Sequence, residues 1–259
     1  MDDCDASDLA LSELTTWEGL RAYGVLPGVE LIDSDSVRAV FSRVPYEGFN
    51  ALFLSTPREL SRLNESLAAA EGARVPLLAH LWTKPDDAET HILSAGFRFY
   101  EEEPAMVASL ESSPSPQRTE GLSISPVRNE DELVSWITVL TGSADAAFID
   151  EVARLRNVVT EEHEPAFEHL LGTIDGEIVA CAAVFGGTRA AEVQHVVTDV
   201  RFRQRGIGTA MTTAAMNAAV TRGYSRAVLT ASPDGAEIYR RLGFQTCGTV
   251  RRYIRLPDV

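Results

Sequence analysis

The sequence predicts a mixed α/β layer fold, with helices over an α+β mixed sheet, laid out as two tandem halves. Three observations predict it. At 259 residues, 45% hydrophobic and 24% charged, the chain is long enough to bury one large core or two ordinary ones. The stretch "ESSPSPQRTEG" (111–121) is rich in serine, proline and polar residues without periodicity, which marks a linker at 112–120 between 1–111 and 121–259. On both sides of it, runs with strand alternation and runs with helical spacing follow one another in the same order.

In the second half, "NEDELVSWITVL" (129–140) and "AAFIDEVARLRNVV" (146–159) have helical spacing. "HLLGTID" and "EIVACAAVFGG" form a hairpin on Asp175-Gly176, a dipeptide that accepts the positive φ of a tight turn. "AAEVQHVVTD" (190–199) is a third strand, 207–221 a long helix ending before Gly223, and "SRAVLTA" a buried strand. "DGAEIYRRL" is a helix with Asp234 and Glu237 at capping spacing and Gly243 as its stop, and "TVRRYIRL" is a last strand. The order is ααβββαβαβ.

The first half repeats the end of this order. "FNALFLS" is a strand, "PRELSRLNESLAAA" a helix, "VPLLAHLW" a strand, "PDDAETHIL" a helix and "PAMVASL" a strand. Aligning Gly96-Phe97 with Gly243-Phe244, 147 residues apart, brings the elements into step.

Charge and composition exclude several function classes. The formal charge is -15, of which -12 lies in residues 1–116 and -3 in 117–259. Such acidity argues against a nucleic-acid partner. It suits a cationic substrate, although it serves solubility first. No apolar run approaches the roughly 18 to 20 residues of a membrane span, and the acidic "MDDCDASDLALSEL" is unlike a secretory signal, so a cytoplasmic protein without a membrane partner is expected. Cys4, Cys181 and Cys247 are widely spaced, which speaks against a disulfide framework or a metal site, and nothing nearby supplies a base to make either of the last two a nucleophile. "EEHE" (161–164) is a solvated helix end or a receiver of a cationic amine sooner than a metal site. The oligomeric state is left open.

"RQRGIG" (203–208) lies between strand and helix and carries the chemistry. A Walker loop would end in GK[ST], and Gly208 is followed by Thr209 and Ala210. A dinucleotide fingerprint would need a small third residue where Met211 stands, and would open a parallel βαβ unit. R/Q-x-x-G-x-G/A is matched by Arg203, Gly206 and Gly208. Backbone N–H groups at a helix start, unobstructed at two glycines, form a concave anion site backed by the helix dipole.

With "VVTDVRFRQRGIGTAM" and "ASPDGAEIYRRLGF" at this distance, residues 121–256 resemble the GNAT superfamily of acyl-CoA-dependent N-acyltransferases. Val200 stands where a proline is common in that family. The first half is similar to the degenerate domain of tandem members: at the offset positions it has "TPRELS" without glycine, and Ile92 in place of Tyr239. The resemblance implies acetyl-CoA as donor, no metal, and direct transfer in a ternary complex to an amine of a small molecule or peptide, a cationic one fitting the charge. It implies that Arg203, Gln204, Arg205, Gly206, Ile207, Gly208 and Thr209 hold the pyrophosphate, with Ser232 beside the donor, and that Val196, Val197 and Thr198 pair with the pantetheine arm through their backbone. Glu192, eleven residues before Arg203, holds the position of the family's general base. An alkylammonium of pKa about 10.4 must lose a proton before it attacks, so such a base or a water chain is needed. On a regular strand Glu192 shares a face with Gln194, Val196 and Thr198, and His195 points to the other. Tyr239 matches the residue that assists the leaving thiol, by proton transfer or by a hydrogen bond to the thiolate. The alternatives are a non-catalytic acyl-CoA-binding or interaction module, and an enzyme with a different acyl-CoA.

Overall fold

A computed structural model describes residues 6–34, 37–54, 75–82, 87–111, 119–157, 165–233 and 235–257. The first half contains α1 (Ala6–Arg21), β1 (Glu30–Asp33), β2 (Val37–Phe41), β3 (Asn50–Leu54), β4 (Leu77–Leu81), α2 (Asp87–Ser94) and β5 (Arg98–Ser109). The second contains β6 (Leu122–Pro126), α3 (Glu130–Thr141), α4 (Ala146–Arg156), β7 (Phe167–Ile174), β8 (Glu177–Gly186) and β9 (Ala191–Thr198). It continues with α5 (Ile207–Thr221), β10 (Arg226–Thr230), α6 (Ala236–Arg241) and β11 (Gln245–Arg255).

All strands of the described residues join one sheet, in the order β1-β2-β3-β4-β11-β5-β10-β9-β8-β7-β6. Apart from the added edge strand β6, the order is symmetric about the β11–β5 pair. β3 and β4 pair in parallel, as do β9 and β10. Each half's last strand has crossed to the other half: β11 pairs antiparallel with β4, β5 pairs antiparallel with β10, and the two pair with each other along nearly their full lengths. The 147-residue offset carries Arg98, the first residue of β5, onto Gln245, the first of β11. The mixed sheet and the tandem repeat are therefore as the sequence predicts, but the two halves share strands.

Three readings are corrected. β6 was not foreseen; this edge strand is short, ends in a proline and offers only Leu122 and Ile124 as an apolar alternation. Residues 1–48, which the sequence left unassigned, contain α1 and the β1–β2 pair. The N-cap of α6 is Gly235, with no side-chain cap, and Glu237 pairs instead with Arg240 and Arg241. Asp234, the helix expected at 57–70, the glycine-free "TPRELS" and the "EEHE" cluster lie outside the described residues. Other local signals hold. Asp175 and Gly176 have φ of 51° and 83°, the pair a type I′ turn requires. Asn129 accepts from the Glu132 N–H and Glu132 returns a bond from the Arg128 N–H, a reciprocal cap on α3.

Both faces of the central strands are covered, which explains the uninterrupted apolar run of β8. Cys181, Ala183 and Phe185 face a core shared by the two halves, in which Trp17, Tyr23, Phe49 and Phe53 pack with Trp136, Ile137, Val152 and Phe167. Val179, Ala182 and Val184 face α5 through Met211, Ala215 and Ala219. Arg156, 2% exposed, lies inside the shared core. Its Nη1 donates to Tyr23 Oη at 2.9 Å, and its guanidinium lies 4.7 Å from the Phe167 ring and 5.1 Å from that of Trp136. Stacking on aromatic rings partly replaces the lost hydration of the cation. Among the described residues no single helix is long and apolar enough to cross a membrane.

Candidate active site

β9 and β10 run parallel and part early. β10 pairs with β9 only at Ala191 and Glu192, so the edge of β9 from Val193 to Thr198 has no strand partner on that side. A cleft of about 410 Å³ opens there. Its walls include Glu192, Gln194, His195, Val196 and Val197 from β9, with Thr230 at the end of β10 and Ser232 and Tyr239 beyond it. Thr16, Tyr23, Tyr46, Glu47, His80, Tyr100, Glu101 and Glu103 of the first half complete it with Arg252 of β11. Strand exchange is the reason both halves line it, since β5 and β11 lie between β4 and β10.

A β-bulge sets the directions of the β9 side chains. The β8–β9 register jumps between Cys181–Val197 and Ala183–Gln194, and His195 has φ of 54°. The skipped Ala182 carbonyl accepts from Trp136 Nε1 at 2.8 Å, and the His195 carbonyl from Cys181 Sγ at 3.5 Å. The extra residue reverses the alternation after it. Val196 packs toward α5 and Val197 toward the shared core. The face predicted to unite Glu192, Gln194, Val196 and Thr198 is therefore split. His195, expected on the opposite face, lies edge-on to Trp136 with ring centroids 5.9 Å apart, on the shared-core side with Glu192 and Gln194. No residue-type signal announces such a bulge. Burial, Arg156 and His169 hold the His195 imidazole far below its ordinary pKa, so it is neutral.

Glu192 is 6% exposed. Thr16 Oγ1 donates to its Oε1 at 2.7 Å and Gln194 Nε2 to its Oε2 at 2.7 Å. Burial raises its pKa, opposed by those two hydrogen bonds and by Arg252 and Arg156. A carboxylate kept nearer neutrality is a stronger base than a free one. Tyr239 packs edge-on to Phe244 and is pushed up to about 12 by burial and by Glu103. It lies well above the roughly 8.5 of a thiol, so its chemistry is hydrogen-bond donation and not complete proton transfer. Ser232 Oγ accepts from the Gly235 N–H at 3.3 Å, which fixes the turn into α6. At the equivalent place in the first half, Ile92 is wholly buried in core.

Thr198 and residues 203–209 do not line the cleft but continue from its β9 wall. Gln204 and Gly206 have φ of 62° and 79°. The first α5 bond runs from the Ala210 N–H to the Gly206 carbonyl at 3.0 Å, which leaves the N–H groups of Ile207, Gly208 and Thr209 without intrahelical partners. Arg203 Nε donates to the Thr198 carbonyl at 3.1 Å and ties the loop to the strand end. Arg205 lies over the Phe202 ring. The two glycines differ. Gly206 needs its left-handed backbone, whereas a Cβ at 208 would meet nothing nearer than Ile238 Cδ1 at 3.9 Å. That is why the motif tolerates alanine at its second glycine.

Among the described residues no three or more His, Cys, Asp or Glu group as a metal site. Cys181, buried and pushed up to about 12, is no nucleophile.

Residues 165–246 match the family model of the acetyltransferase (GNAT) domain. An uncharacterized N-acetyltransferase of Bacillus subtilis, YitH, is 29% identical over 82 residues, which span 31% of this chain and 28% of that protein. Among solved structures, a GCN5-related N-acetyltransferase from Kribbella flavida superposes with a TM-score of 0.69 at 17% identity, covering 97% of this chain and 96% of that one. A tandem GNAT protein from the clavulanic acid biosynthesis pathway gives 0.59 at 13% identity, with 95% and 96% covered. The chain is thus similar to GNAT proteins in sequence over residues 165–246, and shares the fold of these structures over nearly its whole length.

Proposed function

We propose that the protein is an N-acetyltransferase that moves an acetyl group from acetyl-CoA to a primary amine, a positively charged one of a small molecule or peptide. The observation that carries this reading is the parted β9–β10 pair leading into the unpaired N–H groups of the α5 start, inside a GNAT domain. Acetyl-CoA supplies the acetyl group as a thioester. The α5 start and the 203–209 loop hold the pyrophosphate. The unpaired edge of β9 at Val196, Val197 and Thr198 receives the pantetheine arm and polarises the thioester carbonyl through backbone N–H groups. Glu192 takes the ammonium proton, directly or through water, and the amine then bonds to the acetyl carbon as the carbon–sulfur bond breaks. Tyr239 donates a hydrogen bond to the departing thiolate. Glu47, Glu101 and Glu103 outnumber Arg252 along the acceptor side, which favours a cationic amine. In this reading residues 1–111 are the degenerate domain and 121–259 the catalytic one, although the first lends strands and side chains to the cleft.

Thermal unfolding with acetyl-CoA, longer acyl-CoA esters, ATP and NADH tests the donor. Acetyl-CoA at about a hundredfold its dissociation constant adds roughly 2.7 kcal/mol and raises the midpoint by roughly 5 °C. Gly206→Asp abolishes that rise by placing charge and a strained backbone in the anion site, while Gly208→Ala preserves the unliganded midpoint. A chain that no CoA ester stabilises is an interaction module with the fold alone; one stabilised only by longer esters uses another acyl group. Thiol release from acetyl-CoA across a panel of amines tests turnover. Glu192→Gln then lowers kcat/KM about 10² to 10⁴-fold, the usual worth of a positioned base. Tyr239→Phe lowers kcat with little change in KM.

A further inference from the structure

Thr16 and Gly19 belong to α1 of the first half, yet both meet the Glu192 carboxylate. We propose that α1 is the device that holds Glu192 ready to accept a proton, with Thr16 as the positioning residue and Gly19 as the gap that admits the carboxylate. This rests on Glu192 being the base.

The geometry is specific. The Thr16 hydroxyl reaches Oε1 and the Gln194 amide reaches Oε2, each at 2.7 Å, so both oxygens are held and the carboxylate cannot rotate freely. The Gln194 N–H can only donate and therefore favours the anion. The Thr16 hydroxyl donates to the carboxylate and can turn to accept once that group carries a proton, so it serves both states of a base. Gly19, one turn further along α1, has no steric reason of its own to be glycine in a helix, where it costs about 1 kcal/mol relative to alanine. A Cβ there would stand 3.3 Å from Gln194 Nε2, 3.4 Å from Phe185 Cδ1 and 3.5 Å from Glu192 Oε2. Any larger side chain would lift α1 off the carboxylate. Glu192 and Gln194 share the α1 side of the sheet by ordinary alternation, ahead of the bulge at His195.

The groups facing Glu192 come from five elements and the turn after α1. They are Thr16 of α1 and Tyr23 after it, Gln194 of β9, Phe185 of β8, Arg156 of α4 and Arg252 of β11. The two arginines and two hydrogen bonds favour the anion, and burial opposes them. The first half, which has no glycine in "TPRELS" and has Ile92 where the second has Tyr239, thus acts on catalysis through the base of the second.

Titration of the full-length protein carrying carboxyl-¹³C glutamate, followed by NMR, tests this without any acceptor. The Glu192 resonance is identified by its loss in Glu192→Gln. Thr16→Val removes the hydroxyl at nearly constant shape and moves the Glu192 midpoint upward by about one pH unit, the scale of a hydrogen bond to a charged group. Thr16→Ser, which keeps the hydroxyl, restores the wild-type midpoint. Gly19→Leu, with α1 displaced, moves the midpoint in the same direction as Thr16→Val or abolishes a distinct Glu192 titration. A Thr16→Val midpoint equal to wild type overturns the proposal. The base reading fails separately: a Glu192→Gln enzyme that turns over its amine at the wild-type rate overturns that reading whatever the titrations show.

Discussion

Residues 119–259 expressed alone lose their cooperative unfolding transition, although they contain the whole matched domain. The reason lies in the exchanged strands. Without the first half, β10 loses β5 from one edge and β11 loses both its neighbours. The shared core loses Trp17, Tyr23, Val40, Val44, Phe49 and Phe53. At about 1.5 to 3 kcal/mol for each large apolar side chain, this removes on the order of 10 kcal/mol, comparable with the net stability of a typical domain. Circular dichroism during thermal unfolding checks it, with co-expression of residues 1–111 as the complement that restores the sheet. A sharp transition for 119–259 alone, with acetyl-CoA raising its midpoint, would refute the claim.

Acidification from pH 7 to 5 destabilises the intact protein through its buried histidines, His80 and His169, together with His195, whose imidazole is likewise held neutral. His169 is held down to about 3 by burial and Arg156, and His80 well below its ordinary pKa by burial and Arg252. The sign follows from the proton count. Unfolded, all three take up protons below about pH 6.5; folded, they stay neutral, so their stability is complete above 6.5 and falls as the pH drops toward their folded values. At pH 5 His169 costs about 2 kcal/mol, and His80 and His195 add to it in the same direction. Glu192 works in the opposite direction, since its raised pKa favours the protonated folded form as the pH falls. Urea unfolding at several pH values measures the slope, and His169→Phe flattens it. A pH-independent midpoint from 7 to 5 would show that these imidazoles are charged in the folded protein.

Much of the second half was legible because its signals are local. A positive φ wants glycine, so Gly176, Gly206 and Gly243 marked a hairpin, a loop and a helix stop. The double burial of β8 showed as an unbroken apolar run. The loop motif and the Tyr239 helix stood at a fixed distance, and the second of them reaches the cleft beside Glu192. His195 escaped for an equally physical reason. A bulge depends on how two strands meet, and no residue in "EVQHVVT" demands it.

The sequence by itself determined the order of elements from β7 to β11, the repeat and the glycine loop, because each depends on backbone preferences within a few residues. Tertiary structure alone decided that β5 and β11 change places, that α1 lies over Glu192 and that Arg156 sits inside a core shared by both halves. These are pairings between residues more than a hundred positions apart, such as Thr16 with Glu192 and Tyr23 with Arg156. Either half offers the same unpaired strand edge to the same kind of partner, so local pattern cannot say which β-strand fills it. That choice belongs to the packing of the whole sheet.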